Sequence, residues 1–538
     1  MVLDSAAAVD SPAYRENYRR MLELVDGVKT LEDRVRRNSE RSRERFEERG
    51  QLLPRDRLLR LLDRGSSFIE LSPLAGCGMH DDDGAENIAG GNVITGIGEV
   101  CATRCLVMVS DSGIKGGALT PMGAHKIMRA QEIALQNRLP VVNLLESAGG
   151  NLNYQGEIFV PGGGLFYNEA RLSAAGIPQV TVVHGSSTAG GAYLPGLTDY
   201  IVMVRGRAKV FLAGPPLLKA ATGEIATDEE LGGADMHASR SGTAEYLADD
   251  DAGAIETARL IIDHLDWNAG IETRFPVDYA EPLYASDELL GIVPVDYRKP
   301  YDCRAVIARL ADGSAFLEFK PNFGPELVCG HSRIGGIAAG IIGNNGPIFP
   351  AGSQKAAHFI QACCQAGQPI IYLQNTTGYM VGRETEQNGA VKHGSKMIQA
   401  VSNASVPQIT LMIGASFGAG NYGMCGRAFG PRFVFAWPNS RVAIMGAKQA
   451  AKVMDIIARA AAKRKQRAVD ETQLKQREAA TIARIEEESR ALHITARLWD
   501  DGIIDPRDSR RLLIRLLRLC LSGDCIVPRA NSFGVARP

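Results

Sequence analysis

"HGSSTAGGAYLP" spans His184–Pro195, and "IGASFGAGNYGM" spans Ile413–Met424. Each is a run of small residues that follows an apolar, β-like segment and closes on a tyrosine. The pattern predicts a strand that breaks into a sharp corner and continues as a helix. The two corners also stand at a fixed distance. Lys126 and Lys355 are 229 residues apart, and so are Pro140 and Pro369, Gly149 and Gly378, Pro178 and Pro407, Gly185 and Gly414, and Tyr193 and Tyr422. A constant, ungapped offset over roughly seventy positions marks an internal duplication of a whole domain.

Such a corner has its own chemistry. Small residues let the backbone turn tightly, and the first N–H groups of the helix have no acceptor within it. The helix dipole favours negative charge at that end. Backbone donors of this kind can hold a developing oxyanion without any ionisable side chain. Gly190 and Gly191 occupy the first corner; Phe417, Gly418, Ala419 and Gly420 occupy the second. The plain alternative is a corner whose small residues only permit close packing. Recurrence in both repeats, each time after another Gly-rich turn ("ESAGGN" and "NTTGYMVG"), favours function. Ser186 and Ser187 raise the idea of a serine hydrolase, but "GSSTA" lacks the second glycine of a nucleophile elbow. His184, at a strand end, reads as a structural histidine.

The rest of the chain sets the frame. With 538 residues, 45% hydrophobic and 22% charged, it is a multidomain globular protein. A net charge of -1 gives no electrostatic footprint for nucleic acid or membrane. The start shows no signal-peptide pattern and no apolar run reaches membrane-span length, so a cytoplasmic location is expected. The ten cysteines include no two CxxC pairs, so no metal site is expected. Residues 1–65 read as a charged helical arm, 66–280 as a first α/β domain and 281–538 as a second. The charged stretch "AAKRKQRAVDETQLKQREAATIARIEEESR" reads as an exposed or subunit-packing helix, because acids and bases interleave.

"SAAGIPQVTVVHGSSTAGGAY", "FLAGPPLLKAATGE", "LGGADMHASRSGTAEYLADDD" and "MIGASFGAGNYGMCGRA" resemble the carboxyltransferase (β) subunits of biotin-dependent acyl-CoA carboxylases. The resemblance runs from about residue 20 to the C-terminus and favours the branch acting on methylcrotonyl-CoA and geranyl-CoA. It implies two tandem crotonase-like domains (ClpP/crotonase superfamily). Each active site is then shared by the first domain of one subunit and the second domain of another.

The implied reaction moves CO2 from carboxybiotin, carried on a partner subunit, to the γ-methyl carbon of a 3-methyl-2-enoyl-CoA through a dienolate. One corner holds the thioester oxygen and the other the ureido oxygen of biotin, and the biotin nitrogen takes the proton. On this reading the acyl-CoA belongs to the first repeat; the swapped assignment stays open. Lys115, Gly116, Gly117, Lys126, Ser147, Ala148, Gly149 and Gly150 become candidate CoA contacts, with Arg129 as a further phosphate candidate. Thr377, Gly378 and Tyr379 become candidate biotin contacts. In "VPGGGLFYNEARLSAAG" (160–176), Gly162 stands where methylcrotonyl-CoA carboxylases resemble "FGRIFYNQA" with Phe, and Gly163 follows it. That contrast points to a pocket enlarged for geranyl-CoA; the other view is that three glycines permit an unusual turn.

The nearest alternative is a methylcrotonyl-CoA carboxylase β subunit. A more distant one is a crotonase-type hydratase or isomerase, which would want carboxylates beside the corner. The sequence contains no biotin-acceptor motif (the only "KM", Lys396–Met397, lacks the flanking Met) and no P-loop. A separate biotin-carrying α subunit with biotin carboxylase activity is therefore expected, in an α6β6 assembly built on a β hexamer.

Overall fold

Each repeat builds its own mostly parallel sheet in the computed structural model, which describes residues 1–5, 7–82, 88–267, 275–466, 470–528 and 534–535. One unit comprises Thr30–Arg274 with Ala496–Leu498 and Leu521–Pro538; the other comprises Met1–Lys29, Phe275–Thr495 and Trp499–Cys520.

The sheet of the first repeat contains β1 (Ile69–Leu71), β2 (Val93–Val100), β3 (Thr103–Ser110), β4 (Val141–Ser147), β5 (Gln179–Thr188), β6 (Tyr200–Val204), β7 (Lys209–Phe211) and β8 (Tyr246–Ala248). Their order is β1-β2-β3-β4-β5-β6-β8, with β7 pairing the far end of β5. The β1–β2 and β2–β3 pairs are antiparallel, and β3 through β6 run parallel. Parallel strands covered on both faces read as near-continuous apolar runs, which is how "VVNLL" and "QVTVV" read. Val142, Leu144, Val180 and Val182 pack on one face in a core shared with Ile255, Ala258 and Ile262.

The second repeat contains β9 (Leu317–Phe319), β10 (Leu327–Ile334), β11 (Ile337–Asn344), β12 (Ile370–Thr376), β13 (Gln408–Phe417), β14 (Phe433–Ala436) and β15 (Arg441–Ala443). The order β14-β13-β12-β11-β10-β9, with β15 on β13, is that of the first sheet read from the other edge without its last strand, β8. The duplication therefore extends to topology, and also to register. β4 and β12, like β5 and β13, begin at equivalent residues. The pairing slips just before Ser147↔Ser187 in one sheet and just before Thr376↔Ser416 in the other. Ser147 Oγ then accepts from Gly149 N at 3.2 Å, and Thr376 Oγ1 accepts from Gly378 N at 3.2 Å.

Three expectations change in detail. Residues 1–65 do not form a separate arm. The helix Pro12–Asn38 contributes its first part to the second unit, where Met21 and Val25 pack on Leu290, and residues from Thr30 onward belong to the first. The glycines at 162–164 form no turn: they lie inside the helix Gln155–Ala174, just after Pro161. The charged stretch near residue 470 falls on two helices, Ala447–Arg464 and Glu471–Glu488, with 467–469 outside the described residues.

The corners share one backbone requirement. Ala189 (φ 53°) and its repeat equivalent Gly418 (φ 56°, ψ -147°) both have positive φ. That conformation costs an L-residue on the order of 1–2 kcal/mol, and the Gly418 region of the map is essentially closed to side chains. A Cβ on Gly418 would also lie 2.9 Å from the Ile444 carbonyl oxygen. Gly418→Ala is expected to destabilise the second unit by about 2 kcal/mol or more. Ala189→Gly should be neutral or stabilising by less than about 1 kcal/mol, since relieved strain is partly offset by unfolded-state entropy. Urea titration of both variants checks the contrast.

Candidate active site

A cavity of about 570 Å³ opens against the first corner. It is bounded by the sheet face that carries Asn143, Leu145 and Ser147, and by the helices Pro121–Asn137 and Gln155–Ala174. Gly117, Ser147, Gly149, Gly150, Gly162, Gly163, Gly190 and Gly191 all line it. Residues drawn from four separate stretches of sequence thus meet in one place.

The corner itself is a 3-10 turn over Ala189–Ala192 that leads into the helix Tyr193–Leu197. The N–H groups of Gly190 and Gly191 fall in its first turn, where a helix has no internal acceptor. Gly191 is pressed against the neighbouring strand end: a Cβ there would lie 2.9 Å from Ser147 Oγ. Gly190 faces open space, and its nearest neighbour would be Phe166 Cζ at 3.9 Å.

In the second unit Gly418 N donates to Ala443 O at 2.9 Å, so this N–H is already used. Phe417 is buried and packs edge-on against Tyr297. The Gly418 N–H is thus occupied, while the N–H groups of Ala419 and Gly420 open the helix Ala419–Gly423. They correspond in the repeat to Gly190 and Gly191. A Cβ on Gly420 would lie 2.9 Å from both Gly378 Cα and Thr376 Cγ2, so the same close approach recurs. Beside this corner Thr377 is exposed and Gly378 buried. Tyr379 is half-buried and turns inward, its hydroxyl 3.7 Å from Met397 Sδ, which makes its ring a packing element.

Lys126 is a further correction. Its ammonium is buried and donates to Gly90 O (3.1 Å) and Val93 O (2.8 Å), so it cannot reach a phosphate in solvent. Burial lowers its pKa to about 8. Lys115 stays partly exposed and pairs with Asp81 at 2.5 Å. Gly116 shares its positive-φ turn, and Ala148 is exposed on the loop after β4 but does not line the cavity. Arg129 pairs with Glu132 on its own helix at 3.3 Å.

Beneath the first corner lies an ionic network that no sequence motif marks. Arg57, fully buried, donates through Nε to Asp251 Oδ2 (3.1 Å) and through Nη1 to Glu146 Oε2 (3.1 Å). Ser112 Oγ donates to the same Glu146 oxygen at 2.8 Å. His184 Nδ1 lies 2.9 Å from Asp251 Oδ1. Burial, followed by the Arg57 charge, lowers the His184 pKa to about 4. Burial works to raise the Asp251 pKa, but His184, Arg57 and the Leu52 N–H together outweigh it and hold it at about 2. His184 is therefore neutral at physiological pH and structural, as its strand-end position suggested. Ser186 is exposed and Ser187 donates to Gly191 O (2.8 Å), so no Ser–His pair forms at this corner. The partners Arg57 and Asp251 lie 89 and 105 residues from Glu146. No local signal announces them.

The corner pair, the crowding behind each member and the cavity against one of them define a class of protein. The carboxyl transferase domain model matches residues 45–529, and the chain belongs to that family. The geranyl-CoA carboxylase β subunit of P. aeruginosa superposes with a TM-score of 0.93 at 53% identity, with both chains covered fully. A probable biotin-dependent acyl-coenzyme A carboxylase beta2 subunit of Mycobacterium tuberculosis is 50% identical over 92% of each chain. A probable mitochondrial methylcrotonoyl-CoA carboxylase beta chain of Drosophila melanogaster is 44% identical, covering all of this chain and 95% of its own. Among the described residues no helix is long and apolar enough to cross a membrane.

The depressed His184 pKa fixes a sign. The folded state binds this proton less tightly than the unfolded chain, so stability is full above about pH 6.5 and falls as pH drops toward 4. Each tenfold weakening of proton binding corresponds to about 1.4 kcal/mol. Chemical denaturation between pH 7 and 4 should show this loss, and His184→Gln should flatten it. An equally steep loss in the variant would remove His184 as the cause.

Proposed function

We propose that the chain is the carboxyltransferase subunit of a biotin-dependent carboxylase that prefers geranyl-CoA to 3-methylcrotonyl-CoA. One observation carries the substrate choice. Gly162 and Gly163 line the cavity from a helix, where a side chain would project into it. A Cβ on Gly162 would meet only Ile158 Cγ2, at 3.8 Å, and one on Gly163 would meet nothing within 4 Å. A benzyl group would therefore fit at 162 only by filling the cavity. Its absence leaves room for a second isoprenyl unit, each buried methylene-sized group adding about 0.8 kcal/mol.

In this reading the N–H groups of Gly190 and Gly191 hold the thioester oxygen as the γ-proton leaves and charge moves onto it. The turn Ser147–Gly150 and the Gly117 loop shape the entrance. Carboxybiotin, on a separate α subunit, supplies the carboxyl group. The N–H groups of Ala419 and Gly420 fit a carbonyl-type oxygen there, with Thr377 and Gly378 beside them. Neither corner needs a side-chain base. The site is shared between copies of the chain in a β hexamer within an α6β6 assembly in the cytoplasm.

Gly162→Phe should lower kcat/KM for geranyl-CoA by roughly tenfold or more while sparing 3-methylcrotonyl-CoA. Equal losses on both, or a wild type that prefers 3-methylcrotonyl-CoA, would reassign the substrate. A second experiment addresses sharing. A Gly190→Val chain, blocked at the first corner, and an Ala419→Val chain, blocked at the second, should each be inactive. Mixed under conditions that exchange subunits, they should regain part of the activity. No rescue would mean that each chain carries a complete site.

A further inference from the structure

Strand β4 sends alternate residues into the cavity: Ser147 at the corner, then Leu145, then Asn143. At about 3.3 Å per residue, Asn143 lies roughly 13 Å along the strand from Ser147. Its in-register neighbours are Met108 on β3 and Thr181 on β5, and in-register neighbours point to the same face of a sheet. Glu169 also lines the cavity. Its carbonyl accepts from Gln179, the first residue of β5 and the register partner of Val141, which places Glu169 at this same far end.

The walls are apolar (Leu145, Ile158, Leu165, Phe166), but the floor is not. Asn143 is 6% exposed and its amide makes no hydrogen bond with any described residue. Thr181 is fully buried, and its hydroxyl has no hydrogen-bond partner among the described residues. Buried polar groups are normally satisfied. A purely hydrocarbon chain reaching the floor would leave the Asn143 amide facing carbon, which is costly.

We propose that this floor recognises a hydroxyl group at the far end of a branched acyl chain, which makes an ω-hydroxylated prenyl-CoA a better ligand than geranyl-CoA. The inference rests on the acyl-CoA reading of the cavity. A hydroxyl both donates and accepts, matching the amide oxygen and the NH2 group of Asn143. Allowing about 3 Å for a hydrogen bond at each end, roughly 7 Å remains, or about six bonds of extended chain at about 1.2 Å each. A 3-methylcrotonyl group stops short of the floor.

The test uses the full-length protein and isothermal titration of geranyl-CoA against 8-hydroxygeranyl-CoA. The wild type should bind the hydroxylated ester at least about tenfold more tightly, because a site built to hydrogen-bond a hydroxyl discriminates against the analogue lacking it. Asn143→Leu, similar in size, should abolish or invert that ratio, and Asn143→Gln should retain part of it. Equal affinities in the wild type, or a preference for geranyl-CoA, would overturn the inference and leave the acyl-CoA reading intact. Binding of neither ester would defeat both. The wild-type ratio decides even if a variant fails to fold.

Discussion

Everything at the two corners depends on a steric limit: the turn that opens the helix must lie directly against the end of the neighbouring strand. Gly191 meets Ser147 and Gly420 meets Thr376 and Gly378 at distances that leave no room for a Cβ. Approach that close sets the first helical N–H groups beside the turn that leaves β4 or β12. Those turns are fixed in the same way in both repeats, by a hydroxyl that accepts from the glycine N–H two residues on. The register slip before Ser147 and before Thr376 serves the same end, moving each hydroxyl opposite the serine of the next strand. On the proposed reading the corners are oxyanion sites made of backbone, which must be rigid before the charge appears, and packing supplies the rigidity.

The repeats differ in what lies below. Gly185 and its equivalent Gly414 each leave room for the residue before the hydroxyl turn, which is Glu146 in one half and Asn375 in the other. Glu146 belongs to a buried ionic network with Arg57 and Asp251. Asn375 is neutral and accepts from the Ala415 N–H at 2.8 Å. Two buried carboxylates need a cation between them, since removing one partner of such a set leaves an uncompensated charge. Arg57 comes from the helix Pro54–Leu61, so this part of the supposed N-terminal arm is built into the support of the first corner. The sequence could not show this, because the partners are brought together only by the sheet.

What the sequence made legible was what repeats and what is local. The offset of 229 residues exposed the duplication, and the observed strands β4, β5, β12 and β13 follow it. The Gly-rich turns announced the residues around the cavity mouth. Side-chain direction was less legible. Lys126 reads as a cation in the sequence, yet it points inward to two carbonyls; its alignment with Lys355, itself fully buried, was the clue that both are core residues. The three glycines at 162–164 left an unusual turn open beside the pocket reading, and the structure places them within a helix. Asn143 sits within "VVNLL" as an interruption of an apolar strand, and only the strand's alternation reveals that it shares a face with Leu145 and Ser147.

On the proposed readings, glycine at 162 and asparagine at 143 act on one cavity from different elements, and their effects differ in kind. Removing bulk at 162 admits a longer chain without choosing among long chains, because apolar contact discriminates weakly between similar hydrocarbons. Polar groups at the floor choose, because an unmet amide is costly where an unfilled corner of apolar space is less so. Length and terminus would then be set by separate residues on separate elements, a helix for the first and a strand for the second. The corner proposed to hold the thioester oxygen needs neither, so one duplicated scaffold could change substrate without disturbing the close approach on which the proposed oxyanion donors rely.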